Sequence, residues 1–121
     1  MKVELCRTFT FSAAHALPRV ADGHPCRVTH GHNFTVEVAL RGEVDPATGF
    51  LMDYGDLKRV AQPVIDRLDH GVLNEIPGLE NATSENLARW IWDQLHTELP
   101  DLHHITVRET AASSCTYWGE A

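Results

Sequence analysis

Long apolar runs are missing from this 121-residue chain, and nothing in it approaches the roughly 18 consecutive apolar residues of a membrane span. Its opening, MKVELCRTFTF, alternates and carries charge, so it lacks the apolar core of a secretory leader. Cysteine is scarce: Cys6, Cys26 and Cys115 are an odd, small set that offers no disulfide framework and fits a reduced, cytoplasmic setting. Basic charge is short as well, with 10 Lys and Arg against 17 Asp and Glu, a net −7 with neutral histidines. A general nucleic-acid binder needs a basic stripe to displace counterions, so neither nucleic acid nor membrane is an expected partner. Any anionic substrate must meet a locally positive site, because the overall field repels it. Repeats, linkers and low-complexity segments are also absent. Residues 1–121 therefore read as one domain, and 43% apolar residues suffice for a real core.

What is present is a clear change of period along the chain. Over residues 3–15, Val3, Leu5, Phe9, Phe11, Ala13 and His15 share one face, with Arg7 the exception, as in a half-buried strand. Two prolines and a glycine make 16–29 a loop. A second strand, about 30–44, puts His30, His32, Phe34, Val36, Val38 and Leu40 on one face. DPATG at 45–49 is a turn by composition, and 50–52 reads as a short strand. The period then becomes helical: Leu57, Val60, Ala61, Val64, Ile65 and Leu68 form one face over 53–68, with Asp53 as N-cap and Pro63 as the expected kink or break. After a loop at 69–82, Thr83 caps a second helix with the stripe Leu87, Trp90, Ile91 and Leu95, ending before Pro100. A last strand starts near His104 and runs to about Thr110, and a further one is expected near 114–118. The pattern predicts an α+β layer, an antiparallel sheet with both helices on its apolar face.

Eight histidines in 121 residues is a high count, and three of them are placed to meet. Residues i and i+2 of a strand point the same way, so His30 and His32 project together about 6.5–7 Å apart. If the first two strands pair antiparallel, His15 at the end of one lies beside His30 at the start of the other. Three neutral imidazoles meeting there make a zinc site with its fourth position open, the pattern of catalytic zinc. A single histidine at a strand end is more often a hydrogen-bonded surface residue; it is the third, at the matching end, that favours the metal.

Other residues leave two readings open. Cys26 is either a partly buried small hydrophobe or, beside Arg27 and close to the metal, a thiolate base or nucleophile. Asp69–His70 is an acid/base pair in the manner of a triad, though from spacing alone a polar helix terminus accounts for it better. Glu109 ends the row of Ile105 and Val107, where a carboxylate needs a partner; an arginine and the amidine-like edge of a 2-aminopyrimidinone serve equally. His24, His96, His103 and His104 read as solvated or structural, and Cys6 and Cys115 have no evident partner.

Together FTFSAAHALP, the C-x-x-x-H-G-H of Cys26 to His32, GEVDPATGFLMDYGDLK, RLDHGVLNEIPGLENATSENLARWIWD and VRETAASSCTYWG resemble the 6-pyruvoyltetrahydropterin and 6-carboxytetrahydropterin synthase family over about residues 5–119. The resemblance implies the tunnelling fold, a four-stranded antiparallel sheet with two helices on one face, assembled into an oligomeric barrel, usually a homohexamer with sites between subunits. It implies Zn2+ on His15, His30 and His32, with Cys26, Asp69 and His70 as the acid/base group and Glu109 as the pterin anchor. It also implies pterin contacts from Thr83, Ser84 and Glu85. Arg27 and Arg19 are candidates for the triphosphate. Only three residues separate the cysteine from H-G-H, as in the bacterial 6-carboxy branch, which serves the queuosine (7-deazaguanine) pathway of tRNA modification. The implied reaction converts 7,8-dihydroneopterin triphosphate and water to 6-carboxy-5,6,7,8-tetrahydropterin, acetaldehyde and triphosphate. The rivals are a 6-pyruvoyltetrahydropterin synthase and, in another class, a non-catalytic pterin- or zinc-binding module.

Overall fold

A computed structural model describes residues 1–120. Strands β1 (Lys2–His15) and β2 (His30–Glu43) form a long antiparallel pair, followed by α1 (Tyr54–Asp66), α2 (Ser84–Leu95), β3 (Leu102–Arg108) and β4 (Cys115–Tyr117). The sheet order is β1-β2-β3-β4, every neighbour antiparallel. One face carries Phe9, Phe11, Ala13, Phe34, Val36, Val38, Leu40, Ile105 and Val107, all buried. Against it α1 leans on β1 and α2 on β3 and β4, and the two helices also touch each other. This is the expected α+β layer, because the period-2 stripes of the strands and the helical stripes can bury only against one another.

Each helix begins where a side-chain acceptor meets its free N–H groups. Asp53 accepts from Gly55 N at 2.6 Å, and Thr83 Oγ1 accepts from Asn86 N at 3.1 Å. Pro63 does not break α1, which continues to Asp66. The carbonyl freed by its missing N–H belongs to Arg59, and both residues are exposed, so water can satisfy it. The segment 50–52 is not a strand. Asp45 accepts from Gly49 N at 2.7 Å and from Ala47 N at 2.8 Å, curling the chain into a turn that leads directly to α1. Leu51 and Met52 rest on the rim of the core instead. The third strand starts at Leu102 and ends at Arg108, about two residues earlier at each end than expected, and its register with β2 shifts between Ala39 and Leu40, an irregularity that alternation cannot foresee.

The loop between the helices is more tightly held than its composition suggests. Leu73, Leu79 and Ala82 are fully buried, and a short helical turn spans Leu73–Glu75. Gly119 has φ +77°, and a Cβ there would lie 2.5 Å from the Trp92 ring, so only glycine lets the chain after β4 close over α2.

Phe34, fully buried, stacks on Phe11 with ring centroids 4.8 Å apart and meets His15 and His32 edge-on at 5.4 and 5.6 Å. It ties the core to the histidine end of the sheet. Phe34→Ala is expected to cost about 3–5 kcal/mol, read from urea unfolding; a loss below about 1 kcal/mol would show that the aromatic stack does not hold this end of the sheet.

Candidate active site

The β1–β2 register sets His15 opposite His30 and Ala13 opposite His32. All three rings converge, with centroids 4.7, 5.3 and 4.9 Å apart, and one ligand nitrogen of each lies within 4.8 Å of the other two. Backbone carbonyls orient two of them. His15 Nδ1 donates to Ala82 O at 2.7 Å and His30 Nδ1 to Val28 O at 2.8 Å, which leaves each Nε2 as a lone pair. His15 is 1% exposed, and its Nε2 has no hydrogen-bond partner among the described residues. An orphaned acceptor at such depth is costly unless something occupies it. Burial pushes the His15 imidazole below its usual pKa, and His30 and His32 add to this, while Ala82 O and Glu109 oppose it. A neutral imidazole is the form that ligates a metal. The donor set therefore fits a zinc ion with a free coordination position.

Glu109 closes one side of this group. Its Oε1 lies 3.8 Å from His15 Nε2 and its Oε2 3.8 Å from His32 Nε2, while Oε1 also accepts from Ser84 Oγ at 3.0 Å. No arginine pairs with it among the described residues. Ser84, Glu85 and Glu109 line a hollow of about 340 Å³ together with Cys115. Cys115 comes from β4, brought there by the pairing of Val107 with Cys115, and nothing in its local sequence points to that neighbourhood. Thr83 is engaged as the cap of α2.

On the other side, His32 and His70 line one open depression of about 410 Å³ with Ser12, Asn33 and Gly71. Here the adjacent Asp69 and His70 do face each other: His70 Nδ1 donates to Asp69 Oδ2 at 2.8 Å. The turn that permits this gives His70 φ +61°, a left-handed conformation rarely adopted by a side-chain-bearing residue. It is held by β1, since Ser12 N donates to Asp69 Oδ1 (2.9 Å), His70 N to Ser12 O (2.7 Å) and Ala14 N to Gly71 O (2.9 Å). The His70 ring is otherwise exposed, with Nε2 free.

Cys26 sits in a short helical turn, Pro25–Arg27, whose amide at Cys26 donates to His24 Nδ1 at 3.0 Å and whose Cys26 carbonyl accepts from Leu17 N at 2.8 Å. That bond closes the 16–29 loop two residues beyond His15. Arg27 Nη1 holds the same loop through Val20 O at 2.9 Å and Pro18 O at 3.3 Å, so only the rest of its guanidinium is open to a ligand. Arg19 lines a different hollow, with Glu80, Asn81 and Arg89.

A sheet-end site walled by three histidines, on a four-stranded antiparallel sheet with two helices, defines a protein of the tunnelling fold. A family model described as 6-pyruvoyl tetrahydropterin synthase matches residues 4–120. The chain is 38% identical over 118 residues to a 6-carboxy-5,6,7,8-tetrahydropterin synthase of Synechocystis sp., covering 93% of this chain and 90% of that one. It is 34% identical over 135 residues to the 6-pyruvoyl tetrahydrobiopterin synthase of Homo sapiens, covering 98% and 93%. The solved 6-pyruvoyl tetrahydropterin synthase of Caenorhabditis elegans superposes with TM-score 0.91 at 32% identity, over 99% of this chain and 97% of that one. The chain belongs to the 6-pyruvoyl tetrahydropterin synthase family.

The backbone amide of Ser12, followed by the His70 ring, holds the Asp69 carboxyl below its usual pKa of 3.8. A depressed carboxylate stabilises the fold fully above the unfolded value, and the contribution disappears as pH falls through the lower native value. Wild type is therefore expected to exceed Asp69→Asn in stability near neutrality, with the gap closing as pH drops below 3.8, measured by urea midpoints across an acid series. A gap unchanged at the acid end would show that the ionised carboxylate does not hold the loop.

Proposed function

We propose that this tetrahydropterin synthase is the zinc-dependent 6-carboxy enzyme, a lyase converting 7,8-dihydroneopterin triphosphate and water to 6-carboxy-5,6,7,8-tetrahydropterin, acetaldehyde and triphosphate. Its place would be 7-deazaguanine and queuosine biosynthesis in the cytoplasm, and its working form a homohexamer. The observation that carries the reading is the convergence of three imidazoles around the orphaned His15 Nε2, with His70, bonded to Asp69, lining the same depression as His32. The branch is supported by the three-residue spacing between Cys26 and His30.

His15, His30 and His32 would hold the zinc, which when bound supplies Lewis-acid polarisation of the substrate's side-chain oxygens. Glu109, steadied by Ser84, accepts the N–H donors of the pterin's amidine-like edge and fixes how far the side chain reaches, which is orientation rather than chemistry. Thr83 and Glu85 shape the approach to it. Cys26, as thiolate, takes a proton from the side chain. His70 returns one from Nε2, because Nδ1 is committed to Asp69, which fixes the ring's orientation. Triphosphate leaves by elimination, with the open edge of Arg27 as a candidate cation, and cleavage of the remaining side chain gives the carboxy product.

A second reading, 6-pyruvoyltetrahydropterin formation, is favoured by the comparable identity to the human enzyme. It keeps the three-carbon side chain, so it releases no acetaldehyde. Zinc-loaded protein incubated with dihydroneopterin triphosphate is expected to yield acetaldehyde and the 6-carboxy pterin by mass analysis; triphosphate release without acetaldehyde would assign the second reading. Cys26→Ala is expected to lower turnover at least 100-fold, about 2.7 kcal/mol in the barrier, with zinc retained, whereas His32→Ala loses stoichiometric zinc. If Cys26→Ala changes nothing because no turnover exists, the chain is a binding module.

A further inference from the structure

A second group of potential metal ligands lies at the far end of the sheet, built by an irregularity in its ladder. Between Ala39 and Leu40 the register with β3 shifts, so that Ala39 faces His104 and Leu40 faces Leu102, leaving His103 as the extra residue. A bulge of this kind turns two consecutive side chains toward one another instead of to opposite faces. His103 and His104 consequently meet, with ring centroids 5.1 Å apart and Nδ1 to Nδ1 only 2.8 Å. Glu4 of β1 reaches the same spot from the polar face, with Oε1 4.0 Å from His103 Nδ1. The three ligand atoms lie within 4.8 Å of one another. Arg41, opposite Glu4 in the ladder, donates to that oxygen at 3.0 Å and fixes the carboxylate, which still has acceptor sites to spare.

We propose that Glu4, His103 and His104 form a second site for a divalent transition-metal ion, separate from the three-histidine group. The chemistry selects the class. Two imidazole nitrogens and one carboxylate oxygen suit borderline cations, not magnesium or calcium. The 2.8 Å between the two Nδ1 atoms, a hydrogen-bond distance, is also close to the about 2.8 Å that adjacent ligands keep when each lies about 2.0 Å from an ion in a square or octahedral set, so both rings can turn to one ion with little movement. The site does not depend on the pterin reading, since none of its residues lines the hollows around His32 or Glu109.

The test is calorimetric titration of the chelator-stripped full chain with Ni2+. The H103A/H104A variant is expected to take up one equivalent fewer than wild type, and Glu4→Gln to bind that equivalent at least tenfold more weakly. Equal uptake by wild type and H103A/H104A overturns the proposal. Should H103A/H104A fail to fold, as judged by circular dichroism, Glu4→Gln decides, and unchanged affinity in it overturns the proposal. Pterin turnover is expected to be the same in Glu4→Gln and wild type, so a failure here is distinct from a failure at the three-histidine site.

Discussion

The antiparallel register of β1 and β2 is the constraint on which the site depends. Because His15 pairs with His30 and Ala13 with His32, three rings from two strands share one end of one face. A slip of a single residue would send one strand's side chains to the opposite face. The same slip would expose Phe9, Phe11 and Ala13 or Phe34, Val36 and Val38, all of which are buried. The geometry of the histidines is thus enforced by burial of the apolar residues of the same two strands, and not by the histidines themselves. Phe34 makes the link concrete, touching both the core and two of the three rings.

The segment between the helices serves the site at both of its ends. At its start, Asp69 and His70 are locked onto Ser12 of β1; at its finish, the Ala82 carbonyl sets the tautomer of His15 just before Thr83 caps α2. Buried Leu73 and Leu79 anchor the stretch between these points. Orientation of His15 therefore comes from a backbone carbonyl at some distance in sequence, an arrangement also common around metal-ligating histidines.

Much of this was legible in the chain. The strand and helix periods, both N-caps, the meeting of β1's end with β2's start, and the family resemblance all follow from residue order. What stayed hidden came from contacts between distant segments. Ala82 offers only a carbonyl, so no side-chain pattern announces its bond to His15. Cys115 reaches the Glu109 hollow only through the β3–β4 pairing. The facing of Asp69 and His70 needs a left-handed backbone that spacing does not encode. The apolar run at 50–52 misled because it looks like a strand while Asp45 closes a turn ahead of it. His103 and His104 read as solvated or structural from the chain alone, and the meeting of their rings depends on a register shift that alternation does not encode.

The bonds from residues 69–71 to β1 have a consequence beyond chemistry. β1 is the outermost strand of the sheet, and its even-numbered residues aim their amides and carbonyls away from β2. Ser12 and Ala14 spend theirs on that loop, but Glu4, Cys6, Thr8 and Thr10 find no backbone partner within the described chain. A row of free ladder groups of this length invites a further strand. The loop thus closes this edge at Ser12 and Ala14: a strand added here would find open backbone groups only on the residues before Ser12.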